Sequence, residues 1–538
     1  RTFVRITQFF NNEPKHSYVF KRVLLSKFRL NFSSILTRGA ERDPNKEIMV
    51  YEDRRMTCAM LHGRVSALAD AFLKLGLGRG DIVAILLYNC PEFYETAFAA
   101  NRIGAVFLPL NYRLAGEEFA YILDHSGAKA IVTEAEFHAV IGGIRDKIPG
   151  VRHFISLEDT VPEGWVPYRQ LVEGSLGADV PDAEVELDDL HRLMYTSGTT
   201  DRFKGVMITY GNLYWKNIGH VWELDLTPRD VTMIAGPLYH VGAFDLPASG
   251  VLHRGGGVVI MRKFDALKLL QIIEKEKPTN IWLAPAMLSM IVQQEKATEF
   301  DLASIRFIIA GGERLPEPLL ERILTIFPKA RFCDAYGLTE TVSGDTFVPD
   351  GMARAKLGSV GKPVVHLDLQ IVDDNDNPVP TGQIGEIVLR GPKVSVGYWK
   401  NPEASAKAFR NGWFHTGDLG MLDEDGYLYI VDRKKDLIIS GGENISSLEV
   451  ERVIYEIPEV LEAAVVGIPD PKWGEAVKAF VVVKPGKTLT AEAVQELCRS
   501  KLAKFKVPKE VEFIDQLPRN PSGKVLKRIL RQIGNPAH

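Results

Sequence analysis

Hydrophobic and polar positions follow two periodicities over most of the chain. Val65, Leu68, Ala69, Phe72 and Leu73 recur three or four residues apart, which predicts a helix with one buried face that ends at Gly76 and Gly78. Ile82 to Leu87 is a continuous apolar run, which is typical of a strand buried on both faces. The same reasoning predicts a helix over 91–103 and strands over 105–110 and 130–133, and the alternation returns over 231–340. Repeated strand–helix units of this kind predict a layered α/β domain with mostly parallel sheets.

The pattern changes after about residue 355. Short apolar runs are separated by turn sequences at 373–378 and 423–426, which predicts a compact β subdomain. The charged stretch 432–436 then precedes a last unit of about 100 residues, and we place the domain boundary there. This unit has a helix with Val450, Val453, Ile454 and Ile457 on one face, strands over 463–466 and 479–483, and a helix from about 490. The predicted fold is therefore a large N-terminal domain of layered α/β subdomains with a β subdomain, followed by a small α+β C-terminal domain.

Composition excludes several classes of protein. The 538 residues are 46% apolar and 25% charged with a net charge of −4, which is ordinary for a globular protein and gives no basic excess for nucleic acid. No apolar run approaches the ~18 residues of a membrane-spanning helix. The four cysteines are far apart, which favours a reducing, cytoplasmic compartment over a disulfide framework.

The first 30 residues differ from the rest of the chain. They hold seven Lys or Arg against one acid, Glu13, with aromatic and aliphatic residues between the charges. This basic N-terminal extension suits a solvated tail, an amphipathic segment on an anionic membrane surface, or a transit sequence. If it does lie on membranes, the protein is peripheral on a membrane and a lipid-derived acid becomes a more natural substrate.

A dense group of hydroxyl-bearing residues occurs at 195–205, in Tyr-Thr-Ser-Gly-Thr-Thr-Asp-Arg-Phe-Lys-Gly. Hydroxyls and backbone N–H groups can surround an oligophosphate while a lysine supplies positive charge. The segment is not a Walker A motif, and a loop of this composition, taken alone, is usually a surface turn.

Three later segments strengthen the phosphate interpretation. Asp334-Ala-Tyr-Gly-Leu-Thr-Glu340 combines a ring that can stack on a base, a hydroxyl for phosphate and a carboxylate for Mg²⁺. Trp413-Phe-His-Thr-Gly-Asp418 ends in a carboxylate suited to a ribose diol, and Pro521-Ser-Gly-Lys524 places a cation near the end of the chain.

Together these motifs resemble the adenylate-forming superfamily of acyl-CoA synthetases, peptide-synthetase adenylation domains and beetle luciferases. The resemblance runs from about residue 35 to about 530, with the motifs in the family's order. It implies an N-terminal domain that binds ATP and a carboxylic acid (31–432), a hinge (433–436) and a mobile C-terminal domain (437–538). The implied cofactors and co-substrates are ATP, Mg²⁺ and CoA, and the implied reaction forms acyl-AMP and pyrophosphate, then acyl-CoA and AMP.

The resemblance assigns the nucleotide-binding residues. It implies that Tyr336 stacks on the base, Thr339 contacts the α-phosphate, Glu340 holds Mg²⁺, and Asp418 and Arg433 bind the ribose. The remaining members of the implied nucleotide-binding set are Thr196, Ser197, Gly198, Thr199, Thr200 and Lys204 around the β- and γ-phosphates, and Gly311, Gly312, Glu313, Asp334 and Gly337 around the adenosine.

The resemblance also assigns catalytic and mobile residues. Lys524 is implied to bridge the carboxylate and the phosphate, and Lys435 to be the hinge about which the small domain turns. Gly441 and Gly442 match a loop that closes on the pantetheine arm of CoA, where the lack of side chains permits close approach. His240 matches a histidine beside the acid pocket, and Phe244 falls where some members carry an aromatic gate; plain packing is the alternative for Phe244.

The acid is less well defined by the sequence than the nucleotide. We expect a ligase for a medium- to long-chain fatty acid, with an aryl or alicyclic acid–CoA ligase and an enzyme that loads a carrier protein as alternatives. The apolar run Ile281 to Leu288 indicates a hydrophobic pocket but does not separate these acids. A non-catalytic nucleotide-binding scaffold, a luciferase-type oxidation and a homodimer also stay open.

Two positions depart from the family's phosphate loop, which reads Ser-Gly-Thr-Thr-Gly-x-Pro-Lys-Gly. Asp201 replaces the second glycine and Phe203 replaces the proline, which removes a fixed φ and adds a large ring. Either the loop works with altered ATP affinity, or the chain binds nucleotide and turns over poorly. Because the other functional positions are present, we expect an active enzyme.

Overall fold

The structure is a computed structural model that describes residues 30–196, 203–311, 317–519 and 525–534. Within these ranges the helices are Ser34–Arg42, Cys58–Lys74, Pro91–Arg102, Gly116–Ser126, His138–Gly142, Tyr168–Glu173, Tyr210–Glu223, Val241–Phe244, Gly250–Arg254, Ala266–Glu276, Pro285–Val292, Glu317–Ile326, Pro402–Ala408, Ser447–Ile454, Ala491–Lys501 and Lys527–Ile533. Short 3-10 turns cover Ala135–Phe137, Arg145–Lys147, Ala297–Glu299, Thr339–Thr341 and Lys504–Lys506, and a π turn covers Asp245–Ser249.

Two large sheets form the N-terminal part. The first sheet is parallel except for its last pair, and its strands in spatial order are Trp165–Pro167, His153–Ser156, Ala130–Thr133, Ile82–Leu86, Val106–Pro109, Leu190–Thr196 and Lys204–Thr209. The second sheet is parallel in its centre and antiparallel at both edges, with the order Lys362–Pro363, Thr346–Phe347, Arg331–Tyr336, Phe307–Gly311, Asn280–Leu283, Val231–Ile234, Gly257–Ile260, Glu47–Tyr51 and Arg54–Thr57.

The largest apolar cluster joins the two sheets through the helices that lie between them. The helix Cys58–Lys74 buries Leu61, Val65, Leu68 and Phe72, and the Thr57 hydroxyl caps it by accepting from the Met60 N–H at 3.2 Å. Every described residue of the helix Pro91–Arg102 except Glu92 is buried. A helix that is buried on nearly all sides lies in the middle of a layered fold, and buried polar residues on it, including Glu95 and Arg102, are hydrogen-bonded there.

Two smaller units follow, of which the first is antiparallel and the second is antiparallel except for the parallel pairing of Glu510–Phe513 with Gly474–Val483. The β subdomain pairs Asp368–Val372, Gly385–Arg390, Trp413–Leu422, Phe409–Arg410 and Leu428–Arg433. The C-terminal unit contains Glu443–Ile445, Ile438–Ser440, Gly474–Val483, Val460–Asp470 and Glu510–Phe513, covered by its own helices.

The predicted α/β class with a smaller C-terminal unit is confirmed. The elements observed at 58–74, 82–86, 91–102, 106–109 and 130–133 lie where the periodicity predicts them. The two long C-terminal strands begin earlier than expected, at Val460 and Gly474, and the helix there ends at Ile454, so Ile457 packs from the following turn. No helix among the described residues is long and apolar enough to cross a membrane, and the basic segment before residue 30 lies outside the described residues.

Candidate active site

The parallel strands of the second sheet end at a common edge. Four neighbours in this sheet are Val231–Ile234, Asn280–Leu283, Phe307–Gly311 and Arg331–Tyr336. His240 follows the first of these strands, Trp282 lies near the end of the second, and Tyr336 ends the fourth. The carboxyl edge of a parallel sheet is where α/β proteins bind ligands. We call the surface formed here by His240, Trp282, Tyr336, Glu340 and Asp418 the strand-end site.

Tyr336 and Asp418 connect the second sheet to the β subdomain. The Tyr336 hydroxyl donates to Asp418 Oδ2 at 2.7 Å, and Arg433 faces Asp418 across a strand pair with its Nε 3.6 Å from Oδ1. Burial raises the pKa of the Asp418 carboxyl more than Arg433 lowers it, and burial also raises the pKa of Tyr336. A buried carboxylate can accept hydrogen bonds from ribose hydroxyls, and a flat ring beside it can stack on a base.

Glu340 lies in the turn Thr339–Thr341, which packs against the strand that begins at Lys204. Its Oε1 accepts a hydrogen bond from the Tyr398 hydroxyl at 2.9 Å, and Lys204 Nζ lies 5.1 Å from the centre of the Tyr398 ring. Burial raises the pKa of Glu340, so a cation nearby would favour its charged form. Tyr398 was not predicted from the sequence, because nothing near residue 398 points to the carboxylate 58 positions earlier.

These groups fit a magnesium ion carried by a polyphosphate. No three His, Cys, Asp or Glu side chains cluster as a metal site within the ranges that the structure describes. Glu340 would therefore be one oxygen ligand, and phosphate oxygens and water would supply the others, which is the usual environment of Mg²⁺ beside a nucleotide.

The phosphate loop is described only at its two ends. Thr196 and Lys204 face each other in the antiparallel pair that opens it, while Ser197, Gly198, Thr199, Thr200 and Asp201 lie outside the described residues. Phe203 is half-buried against the apolar cluster of the first sheet, and its carbonyl accepts from the Tyr121 hydroxyl at 3.2 Å. The ring that replaces the family's proline thus packs against protein, which anchors the end of the loop.

His240 and Trp282 form the wall of the strand-end site away from the nucleotide residues. The His240 ring is solvent-accessible and lies parallel to the Trp282 indole, with centroids 5.9 Å apart at 20°. Its Nδ1 accepts from the Gly242 N–H at 3.0 Å, and the protein around the ring lowers its pKa. Neutral imidazole at neutral pH leaves Nε2 to donate a hydrogen bond.

Trp282 in turn rests on Gly236 and Gly242. A β-carbon added to either glycine would lie 2.6 Å or 2.5 Å from the indole, so only glycine permits this packing. The sequence indicated the apolar run that contains Trp282, but not that its ring would stack on His240.

Phe244 lies elsewhere. It is 2% exposed and packs among Phe93, Tyr94 and Phe107, with a nearly parallel contact of 5.3 Å to Tyr94. This is the position of a core residue, and it does not place the ring on the wall of an open pocket. The packing alternative describes Phe244 better than the gate.

The predicted hinge lies between the β subdomain and the C-terminal unit. Lys435 is exposed, and its carbonyl accepts from Arg531 Nη2 at 3.2 Å, while Arg531 also pairs with Asp436 at 3.0 Å. Gly441 and Gly442 have φ values of 62° and 85°, which favour glycine. A β-carbon on Gly441 would lie 2.8 Å from the Trp473 ring, so only glycine lets the loop pack this closely against that ring.

Several other predicted residues can be placed in part. Gly311 ends its strand, Asp334 lies two residues before Tyr336, and Gly337 and Thr339 follow it at the strand-end site. Gly312, Glu313 and Lys524 lie outside the described residues, so their roles stay predictions.

Comparison with known proteins decides the family. A model described as AMP-binding enzyme matches residues 36–399, and one described as AMP-binding enzyme C-terminal domain matches residues 449–524. The chain belongs to the AMP-binding enzyme family. The resemblance to adenylate-forming enzymes is thereby confirmed.

Named relatives in this family are similar over almost the whole chain. An indoleacetate–CoA ligase from Aromatoleum aromaticum is 38% identical over 504 residues, which cover 94% of this chain and 98% of the relative. A long-chain-fatty-acid–CoA ligase from Mycobacterium tuberculosis is 37% identical over 484 residues, covering 89% and 93%.

Solved structures in the AMP-binding family agree with the fold. An anthranilate CoA ligase in complex with anthranoyl-AMP superposes with a TM-score of 0.87 at 27% identity, covering 95% of this chain and 99% of that one. The o-succinylbenzoate CoA synthetase of Bacillus subtilis, solved with ATP and magnesium ion, gives a TM-score of 0.82 at 32% identity, covering 92% and 98%. These relatives confirm the expectation of ATP, Mg²⁺ and CoA.

Proposed function

We propose that this protein is an AMP-forming acid–CoA ligase that acts on an aromatic carboxylic acid. The observation that carries the activity is the meeting of Tyr336, Asp418 and Glu340 at one sheet edge, beside the opening of the phosphate loop. Family membership supports the same activity, because CoA ligases are prominent among the relatives.

The proposed reaction has two steps. In the first, a carboxylate oxygen attacks the α-phosphorus of ATP, the bond to the β-phosphate oxygen breaks, and pyrophosphate leaves. In the second, the sulfur of CoA attacks the carbonyl carbon of the acyl adenylate, its proton is lost, and AMP leaves. Both steps bring together groups that carry negative charge, so the protein's main contribution is electrostatic.

The residues divide this work by their positions. Tyr336 presents its ring to the base, and Asp418 accepts hydrogen bonds from the ribose with Arg433 beside it. Thr339 and Lys204 bind phosphate oxygens, and a magnesium ion held by Glu340 would neutralise charge there. Lys524, on the mobile domain, is proposed to bridge the carboxylate and the α-phosphate in the first step, and Gly441 and Gly442 to border the pantetheine arm in the second.

Support for an aromatic acid comes from the wall opposite the nucleotide residues. Trp282 lies parallel to His240 and is held against two glycines, which gives a flat, rigid surface suited to a planar acyl group. Relatives named for indoleacetate, anthranilate and o-succinylbenzoate agree with this choice. We therefore prefer an aryl acid to the medium- to long-chain fatty acid expected from the sequence, for which a 37% identical relative is the main support.

The test measures acid-dependent ATP–pyrophosphate exchange and, separately, thioester formation with CoA. The panel of acids includes benzoate, phenylacetate, indoleacetate and cinnamate types and straight-chain acids of 4 to 16 carbons. We expect exchange with aromatic acids and transfer to CoA, with Lys524→Ala inactive in exchange. Highest activity with a fatty acid would overturn the proposed substrate class. Transfer only to a carrier protein would overturn CoA as the acceptor. No exchange with any acid would overturn the proposed ligase activity.

A further inference from the structure

A buried lysine lies behind the strand-end site without a carboxylate partner. Lys216 is fully buried on the helix Tyr210–Glu223, and its Nζ donates to the main-chain oxygen of Asp245, to Ser249 Oγ at 2.9 Å and to Asn217 Oδ1 at 3.2 Å. All three acceptors are neutral oxygens. The Asp245 carboxylate is bound instead by Arg192 at 2.5 Å, in a pair that is itself fully buried. We call Lys216, Asn217, Asp245, Ser249 and Arg192 the buried cationic cluster.

The charges around this cluster do not balance. Lys393 also acts on Lys216 electrostatically, and it pairs with Asp345 at 2.6 Å. Three cations therefore face two carboxylates within a region from which water is excluded. Burial, opposed by Asp245 and reinforced by Lys393 and Arg192, lowers the pKa of Lys216 to about 7. A buried ammonium of this kind is costly to the fold unless an anion arrives to pair with it.

Hydrogen-bonding capacity is also left over. Asn217 Nδ2 and Arg192 Nη1 are buried donors that have no partner among the described residues, and His220 Nδ1 is likewise unpartnered. His220 Nε2 faces the Gly344 carbonyl at 3.1 Å and must donate to it, which leaves Nδ1 as an acceptor in the neutral ring. Buried polar groups are normally satisfied, so free donors beside an excess cation indicate a missing acceptor.

One chain segment leads from the reaction site to this cluster. His240 begins the helix Val241–Phe244, and the turn Asp245–Ser249 that follows supplies two of the oxygens around Lys216. The strand that carries Trp282 packs against the same turn. The cluster therefore lies one short helix away from the wall where the acid is proposed to bind.

A second segment arrives from the nucleotide side. After Glu340 the chain turns sharply, because residues 342–344 have φ values of 57°, 64° and 59°. The carbonyl of Gly344 then meets His220, which lies one helical turn from Lys216 on the same helix face, and Lys393 at 2.8 Å. The two segments that leave the strand-end site thus both contact the buried cationic cluster or its neighbours on the helix Tyr210–Glu223.

We propose that the buried cationic cluster binds a second oxygen-bearing group of the acid, at the end remote from the reacting carboxylate, and so selects polar-ended acids. The distal groups that fit this cluster all carry an oxygen that accepts hydrogen bonds. The excess positive charge favours a carboxylate over a hydroxyl. The proposal rests on the proposed ligase function. It adds the part of the acid that the buried cationic cluster recognises, which is the distal oxygen-bearing group.

The experiment uses the best aromatic acid of the panel in four forms that carry hydrogen, methyl, hydroxyl or carboxylate at the distal ring position. Methyl matches hydroxyl in size, so the ratio of kcat/KM between these two forms isolates polarity. We expect the full-length enzyme to favour the hydroxyl or carboxylate form at least about tenfold over methyl, with the larger factor for carboxylate. Lys216→Met should remove most of that preference while exchange with the methyl form persists.

Controls separate recognition from damage to the fold. Ser249→Ala removes one oxygen beside Lys216 with little change of volume and should weaken the preference in the same direction. Lys478→Met removes a largely buried lysine that is paired with Glu510 and Glu512 far along the chain, and should leave the ratio unchanged. An enzyme that prefers the methyl form, or a folded Lys216→Met that keeps the wild-type ratio, would overturn the inference alone. No exchange with any acid would overturn the proposed function as well.

Discussion

The nucleotide side and the acid side of the strand-end site differ in how their charged side chains are paired. On the nucleotide side, Tyr336 donates to Asp418, Arg433 faces the same carboxylate, and Glu340 accepts from Tyr398. On the acid side, Lys216 is surrounded by neutral oxygens. ATP is the same in every reaction, so the charged groups that bind it can be paired within the protein. A site that selects among acids can instead leave a cation without a carboxylate partner, so that the substrate supplies one.

This contrast separates two kinds of mutational effect. A change on the nucleotide side should lower turnover by a similar factor for every acid. A change in the buried cationic cluster should alter the ratio between acids and leave the response to ATP intact. The predictions below test that separation.

The largest effect is expected for Glu340→Gln. Loss of the carboxylate that would hold Mg²⁺ should lower kcat for ATP–pyrophosphate exchange by about 100-fold or more, equally for polar-ended and apolar acids. Tyr398→Phe is the matched control, because it removes only the hydrogen bond to Glu340 and should cost about tenfold or less. If the fall in kcat caused by Glu340→Gln differed between polar-ended and apolar acids, the proposed separation of nucleotide-side and acid-side effects would be wrong.

Asp418→Asn should act mainly on nucleotide affinity. The amide keeps the shape of the side chain but loses the charged acceptor, so KM for ATP should rise by about tenfold, which corresponds to roughly 1.4 kcal/mol. Isothermal titration with AMP checks the same loss without catalysis. An unchanged affinity for AMP would remove Asp418 from the ribose site.

The preference for a carboxylate-ended acid should fall as pH rises through about 7, the pKa of Lys216. Below this pH the ammonium attracts the distal carboxylate, and above it the neutral amine does not. Arg192, Asp245, Lys393 and His253 also face the group, and burial holds the pKa of His220 and of His253 below this range, so Lys216 is the group whose pKa of about 7 lies within it. The measurement is the carboxylate-to-methyl ratio of kcat/KM between pH 6 and 8.5, where a severalfold fall is expected and a flat ratio would contradict it.

Phe203→Pro should have the smallest effect. Because Phe203 packs against the first sheet, the substitution should lower Tm by a few degrees through lost apolar contact. We expect KM for ATP to change less than about threefold. The packed Phe203 ring and the fixed φ of a proline would both hold the end of the phosphate loop in place. A large fall in KM would instead mean that the natural phenylalanine weakens ATP binding.

The nucleotide side was predictable because each of its parts is local in sequence. Tyr336 and Glu340 lie within five residues, at a strand end and the turn after it, and Asp418 ends a motif of its own. The acid side brings together residues 192, 216, 245, 249 and 393, which look like ordinary core positions until the fold assembles them. Phe244 shows the same limit, because its place in the chain suggested a pocket residue and its packing makes it part of the core.

The substrate class was less predictable than the reaction. Apolar residues at 281–288 are compatible with a fatty chain or a ring, and the structural support for the proposal of a ring is the nearly parallel arrangement of Trp282 and His240. The α/β class and the boundaries of the strongly periodic elements followed from hydrophobic spacing, which depends little on distant contacts.

The two glycines beneath Trp282 carry a consequence for enzyme engineering. The indole packs directly against Gly236 and Gly242 because neither has a β-carbon. An alanine at either position would clash with the ring and push it away from that position. An added methyl group at either position is therefore expected to change the width of the proposed acid pocket without replacing a residue assigned to ATP. Libraries that seek smaller or larger acyl products can vary these positions and leave the adenylation machinery unaltered.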